Sequence, residues 1–217
     1  MKLTPAIISQ VDAKNLTEIK ALNFSGKEVS HVDDISVCVN LHKLDLSHNS
    51  LKSDDSISGL KYCKEITWLN LAHNSFESVQ VLSNLKKLTV LNMSYNQVSS
   101  LNENICSMDS LKALILNNNQ LVATNLTRYP KNLNTLVLSH NKLESLGQVS
   151  YLHSLEKLSA SHNSIRSIPN LSRNACLKDL KLNDNKILAL TEVQLPPSLE
   201  ILDLGNNLIQ YLSYTFV

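Results

Sequence analysis

Leu88-Thr-Val-Leu91-Asn-Met93-Ser-Tyr-Asn96-Gln-Val98 holds an apolar residue, two variable positions, an apolar-x-apolar pair, two more positions, an asparagine, one more and a last apolar residue. Leu41-His-Lys-Leu44-Asp-Leu46-Ser-His-Asn49-Ser-Leu51 repeats the pattern. The asparagines fall at Asn49, Asn74, Asn96, Asn119, Asn141, Asn163, Asn185 and Asn207, mostly 22 residues apart. A ninth copy, Ile19 to Val29, carries Lys27 in the asparagine's place, the departure expected of a terminal repeat. A fixed period of this length signals a solenoid, in which each unit packs only on its neighbours and the stack presents one long surface.

Apolar-x-apolar alternation is that of a short strand with one buried face. Stacked copies pair into a parallel sheet with strands about 4.8 Å apart, so nine strands give a concave face on the order of 40 Å long. The fold class expected is α/β: a right-handed, curved parallel β-sheet on the concave side and 3₁₀, short helical or irregular segments on the convex side. The asparagine ends each strand. Its amide can bond backbone groups of the adjacent turn that are otherwise buried and unpaired. Beyond it the apolar spacing changes to three, as in Val29, Val32, Ile35, Cys38 and Leu41, in Phe76, Val79, Leu82, Leu85 and Leu88, and in Leu143, Leu146, Val149, Leu152 and Leu155. A period of three suits a 3₁₀ return path. The step from Asn49 to Asn74 is longer, and Ser53-Asp54-Asp55-Ser56 within it reads as a solvated loop. Thr124 to Pro130 and Ser172 to Cys176 break the threefold pattern and read as irregular loops.

The expected organisation is one elongated domain. Residues 1–18 form an N-terminal helical cap, 19–209 the nine repeats, and 210–217 the remnant of a C-terminal cap or a truncated end. Thr4-Pro5 is an N-cap followed by proline at the first helical position, and Ile7, Ile8 and Val11 give the helix over 4–14 one apolar face. At the other end Tyr211, Leu212, Tyr214 and Phe216 either fold over the last repeat or lead into further chain.

The 217 residues carry 20 basic and 19 acidic side chains, a net charge of +1 that gives no electrostatic case for nucleic acid or an anionic membrane. No apolar run approaches the roughly 20 residues of a membrane span. Met-Lys-Leu-Thr-Pro lacks the apolar stretch of a signal peptide, so the protein is read as not secreted. Cys38, Cys63, Cys106 and Cys176 lie far apart in sequence with no metal-ligand spacing, and read as small hydrophobes in a reducing compartment.

The Leu-x-x-Leu-x-Leu-x-x-Asn-x-Leu motif over residues 16–212 resembles the leucine-rich repeats. The 22-residue step with threefold convex spacing is similar to the short intracellular class, which includes the leucine-rich regulatory subunit of type 1 protein phosphatase. Lys2-Leu3-Thr4 and Ile7 resemble the capping helix of the spliceosomal A-prime protein. The resemblance implies a non-catalytic binding scaffold in the cytoplasm or nucleus, without the cysteine-rich caps of extracellular relatives. It also admits a structural subunit of a ribonucleoprotein or ciliary assembly, or a phosphatase regulator.

The outward strand positions read Ala21, Lys43, Trp68, Val90, Ala113, Thr135, Lys157, Asp179 and Ile201, then Asn23, Asp45, Asn70, Asn92, Ile115, Val137, Ser159, Lys181 and Asp203. Trp68, Val90, Ala113, Ile115 and Val137 form an exposed apolar patch in this reading, rimmed by Lys43, Asp45, Asn70 and Asn92. Such a patch marks a protein-binding site, and the single tryptophan is its expected anchor. Lys157, Asp179, Lys181 and Asp203 alternate in sign and are expected to pair across strands. His48, His73, Tyr95, His140 and His162 share one column, with no cysteine or carboxylate converging on it, and no metal site is expected. The four glycines, Gly26, Gly59, Gly147 and Gly205, are too dispersed for a phosphate-cradling loop. No catalytic residue, cofactor, small-molecule substrate or membrane partner is expected, and a protein partner is.

Overall fold

The structure is a computed structural model that describes residues 1–12, 15–78, 81–101, 103–123, 129–190 and 193–211. In chain order it holds β1 (Lys2–Leu3), α1 (Pro5–Val11), β2 (Ala21–Asn23), β3 (His31–Val32), β4 (Lys43–Asp45), β5 (Trp68–Asn70), β6 (Val90–Asn92), β7 (Ala113–Ile115), β8 (Thr135–Val137), β9 (Lys157–Ser159), β10 (Asp179–Lys181) and β11 (Ile201–Asp203). From β2 to β11, omitting β3, nine strands pair in parallel and in chain order, each with its sequence neighbour in the stack. The central leucines of β4 to β10 are at most 1% exposed.

Each of the nine stacked strands is three residues long because the backbone turns soon after it. The residue five positions beyond the strand start has positive φ in every repeat: Gly26 at 65°, His48 at 55°, His73 at 53°, Tyr95 at 54°, Asn118 at 57°, His140 at 55°, His162 at 54°, Asp184 at 56° and Asn206 at 53°. Histidine, asparagine and aspartate tolerate this left-handed conformation better than most residues.

The asparagine that follows locks the turn. Asn119 Nδ2 donates to the carbonyls of Leu116 and, in the preceding repeat, of Met93, each at 3.0 Å, and its Oδ1 accepts from Val98 N–H at 2.9 Å. Asn141 repeats the pattern toward Leu138, Leu116 and the Leu121 N–H. Each such carbonyl inside the stack thus serves two successive amides: Leu116 accepts from both Asn119 and Asn141, and Leu138 from both Asn141 and Asn163. Both carbonyl lone pairs are used, which is how a buried turn without ladder partners stays satisfied. In the first repeat the Lys27 N–H and Val29 N–H both donate to Asn49 Oδ1.

On the return side 3₁₀ segments occupy Asp54–Tyr62, Val81–Asn84, Glu103–Ser107 and Gly147–Tyr151. Four features differ from the sequence reading. The stretch Ser53-Asp54-Asp55-Ser56 is the cap and start of the longest of these segments, not a loop, with Ser53 and Asp55 exposed as expected. Ser56, buried, donates its hydroxyl to the Ser53 carbonyl at 2.6 Å and accepts from the Ser53 and Lys52 N–H groups. The first return path, Val29 to Leu41, contains β3, which pairs in parallel with β1; Asp33 N–H donates to the Leu3 carbonyl, and Lys2 Nζ reaches Asp33 Oδ1 at 2.8 Å. The helix begins as expected, with the Thr4 side chain accepting from Ile7 N–H, but it runs only to Val11, and Val11 is 65% exposed while Ile8 is buried. Leu202 in β11 is 38% exposed, unlike its counterparts in the stack.

Ser172 to Cys176 forms turns, and buried Asn174 takes an apolar position, its amide donating to the Val149 and Leu152 carbonyls at 3.0 and 2.9 Å. Val79, most of the Thr124–Pro130 segment, and Leu212, Tyr214 and Phe216 lie outside the described residues.

Candidate functional site

Parallel register fixes the outward face. Lys43 lies opposite Trp68, Trp68 opposite Val90, and Val90 opposite Ala113; in the second row Asp45 faces Asn70, Asn92 faces Ile115, and Ile115 faces Val137. The five apolar residues named from the sequence therefore come together on β5 to β8. They are half-buried, which corrects the expectation of an exposed patch: side chains about 5 Å apart on neighbouring parallel strands cover one another's flanks. The five positions are adjacent in register on four neighbouring strands.

The rim residues differ among themselves. Lys43 is exposed, whereas Asp45, Asn70 and Asn92 are half-buried. Asp45 Oδ1 accepts from the Ser47 N–H and hydroxyl at 2.9 and 2.6 Å, and its Oδ2 accepts from Asn70 Nδ2 at 3.2 Å. Asn92 Oδ1 accepts from the Ser94 N–H and hydroxyl. These polar rim groups are held in place by the turn that follows their own strand. Toward the other end Lys157 pairs with Asp179 across strands at 3.3 Å. Lys181 lies opposite Asp203 in register, but no ion pair joins them.

The column after the strands is stacked: His48 on His73 with ring centroids 4.0 Å apart, His73 on Tyr95 at 4.1 Å, and His140 on His162 at 4.1 Å. The common left-handed backbone sets the rings parallel. Burial, and then the neighbouring His48, hold the His73 imidazole below its ordinary range. His162 Nε2 lies 3.3 Å from Asp184 Oδ2, and bonds from Asn206 and Asn183 hold the Asp184 carboxyl below its usual value. Among the described residues no group of three or more His, Cys, Asp or Glu side chains is placed to hold a metal ion.

The residue just before each strand lies outside the two outward rows. Lys20 and His42, with Ala21, Asn40 and Lys43, line an open hollow of about 620 Å³ beside Trp68. The signal is a basic and an imidazole side chain, Lys20 and His42, at matching positions of two adjacent repeats, with Lys43 beside them.

A family described as Leucine Rich Repeat matches residues 40–63, and a second of the same description matches residues 84–100. The fold is a leucine-rich-repeat solenoid. Solved leucine-rich-repeat structures agree along almost the whole chain. A Leptospira interrogans LRR protein is 22% identical with a TM-score of 0.75, covering 95% of this chain and 59% of its own. An internalin from Listeria monocytogenes is 21% identical with a TM-score of 0.65, covering 94% and 74%. A chain of the Drosophila Toll–Spatzle complex is 17% identical with a TM-score of 0.65, covering 91% of this solenoid but 31% of its own length. No protein of curated function matches the sequence. Among the described residues of the solenoid no helix is long and apolar enough to cross a membrane.

Proposed function

We propose that this leucine-rich-repeat solenoid is a non-catalytic interaction module that holds a protein partner on the outward face of β4 to β8. The observation that carries the reading is the adjacency of Trp68, Val90, Ala113, Ile115 and Val137 on four neighbouring strands. Five apolar side chains on one face form the kind of core that protein interfaces bury, and a tryptophan is the residue type most often found to dominate such binding energy. Lys43, Asp45, Asn70 and Asn92 supply the polar rim. Leucine-rich-repeat proteins commonly act as interaction modules, and one of the similar structures is a Toll–Spatzle complex. No disulfide joins the four cysteines, which fits a reducing, intracellular compartment.

Affinity capture from cell lysate tests the proposal, comparing wild type with Trp68→Asp/Ile115→Asp and confirming both folds by circular dichroism. Loss of a defined set of captured proteins from the double variant supports the concave site. Capture unchanged by the substitutions contradicts it.

A second reading has its own observation. Ile201, Leu202 and Leu208 are 51%, 38% and 54% exposed on the last described repeat. A structural subunit, whether of a ribonucleoprotein, a ciliary assembly or a phosphatase complex, would be held through that apolar edge. Leu202→Lys then disrupts incorporation while Trp68→Asp does not.

A further inference from the structure

We infer that the partner segment held on this face is acidic at one end and apolar at the other, with its carboxylates seated in the hollow between β2 and β4. This rests on the docking role proposed above and adds the chemistry of the occupant. The hollow is lined by Lys20, Ala21, Asn40, His42 and Lys43. Lys20 and Lys43 are exposed, and no ion pair involves either among the described residues.

Among the described residues no carboxylate forms an ion pair with either lysine. Asp45 is tied to Ser47 and Asn70. Glu65 is held by Lys87 Nζ at 2.7 and 2.6 Å, and its charge also acts on His42. Glu18 is exposed and does not line the hollow. The His42 ring is anchored through Nδ1 to the Asn40 carbonyl. Two exposed ammonium groups without an ion pair thus flank an imidazole around an open hollow, in a protein whose net charge is only +1. That local excess is complementary to an anion, and fixed charge of this kind steers and orients a partner.

The hollow is continuous with the apolar surface, because Lys43 lies directly opposite Trp68. From the gap between β2 and β4 to Val90 on β6 is about two and a half strand spacings, or roughly 12 Å. An extended chain spans that in about four residues at roughly 3.3 Å each. The occupant is therefore a short segment with aspartate or glutamate about four positions from a bulky apolar side chain, running across the strands.

The test uses a dye-labelled, end-blocked peptide of two aspartates, a Gly-Ser spacer and two leucines, titrated into the whole chain. Anisotropy reads binding, and the emission of Trp68, the single tryptophan, reads location. The expected result is saturable binding with a shift in Trp68 emission, at least fivefold tighter than for the same peptide with asparagines in place of aspartates. Lys20→Glu/Lys43→Glu should abolish that preference, and so should 0.5 M salt. Equal binding of the two peptides, lost from Trp68→Asp, overturns the acidic specificity while leaving concave docking intact. Absence of binding by either peptide, or binding only when phosphoserine replaces aspartate, also overturns it, and the capture experiment then decides separately whether the face docks a protein.

Discussion

Lys43 and Trp68 lie opposite each other on adjacent parallel strands, so that a free ammonium group and the chain's only indole share one edge of the concave face. The pairing exists because two repeats place different residues at the same register position. The solenoid supplies the position, and the local sequence supplies the chemistry. The proposed site therefore depends on the asparagine column that sets the register.

Asn119 is 5% exposed, and the buried Val98 N–H has its Oδ1 as partner. Asn119→Leu leaves that donor unmet and removes one of two donors from each of the Leu116 and Met93 carbonyls. The expected loss is about 1–3 kcal/mol, the cost of an unsatisfied buried polar group. Asn207→Leu, on the more exposed last repeat, should cost less. Urea midpoints of the two variants check both the size and the order.

Gly59 tests the packing of the long 3₁₀ segment on the N-terminal repeat. A Cβ there would stand 2.0 Å from the Asp33 carbonyl oxygen and 2.7 Å from Asp34 N, both backbone atoms. Gly59→Ala must push β3 away from the segment Asp54–Tyr62, and is expected to lower stability by at least about 1–3 kcal/mol. Thermal unfolding measures it; an unchanged midpoint would show that the contact is loose.

Thiol reactivity follows burial. Cys63 is pushed up to about 12 by burial, with smaller contributions from Asp34 and Cys38, and burial also raises Cys38. Cys106 is buried and Cys176 is exposed. An aromatic disulfide reagent at pH 8 should therefore titrate one thiol quickly in the native protein and all four in guanidinium, since the thiolate is the reactive species.

The His48–His73–Tyr95 stack gives a pH dependence of definite sign. The folded His73 binds a proton less readily than the unfolded chain, because burial and His48 oppose its charge. In the window below the ordinary histidine value the unfolded state holds more protons, so the stability this histidine contributes is complete above that value and is lost as pH falls toward the folded pKa. Proton-detected titration should place His73 below an ordinary histidine, and His48→Asn should move it up. A His73 that titrates at or above the ordinary value would contradict the stacked arrangement.

Much of this was legible in the sequence because the repeat imposes it. Leu44, Leu69, Leu91, Leu114, Leu136, Leu158 and Leu180 are buried for one reason, and counting by register found the five apolar residues now seen side by side. Departures arose where one segment meets another out of register. The pairing of Lys2–Leu3 with His31–Val32 depends on chain about 29 residues away and has no periodic signature. Ser53 to Ser56 looked solvated by composition, yet the Ser56 hydroxyl satisfies the start of a 3₁₀ segment and is buried with it. The degree of exposure of Trp68 and its neighbours could not be read from alternation alone, since it depends on how far each side chain leans over the next strand. Lys20 and His42 escaped because they precede the strands whose faces were being counted.

Site-specific photo-crosslinking in cell lysate tests whether a protein partner contacts the concave face. Benzoylphenylalanine is placed at Val90, on β6, and in a second variant at Lys86, exposed on the return path. A discrete crosslinked species is expected from position 90, suppressed by adding Ile115→Asp, and none from position 86. A crosslink from position 86 alone would place the partner on the convex side and contradict concave docking.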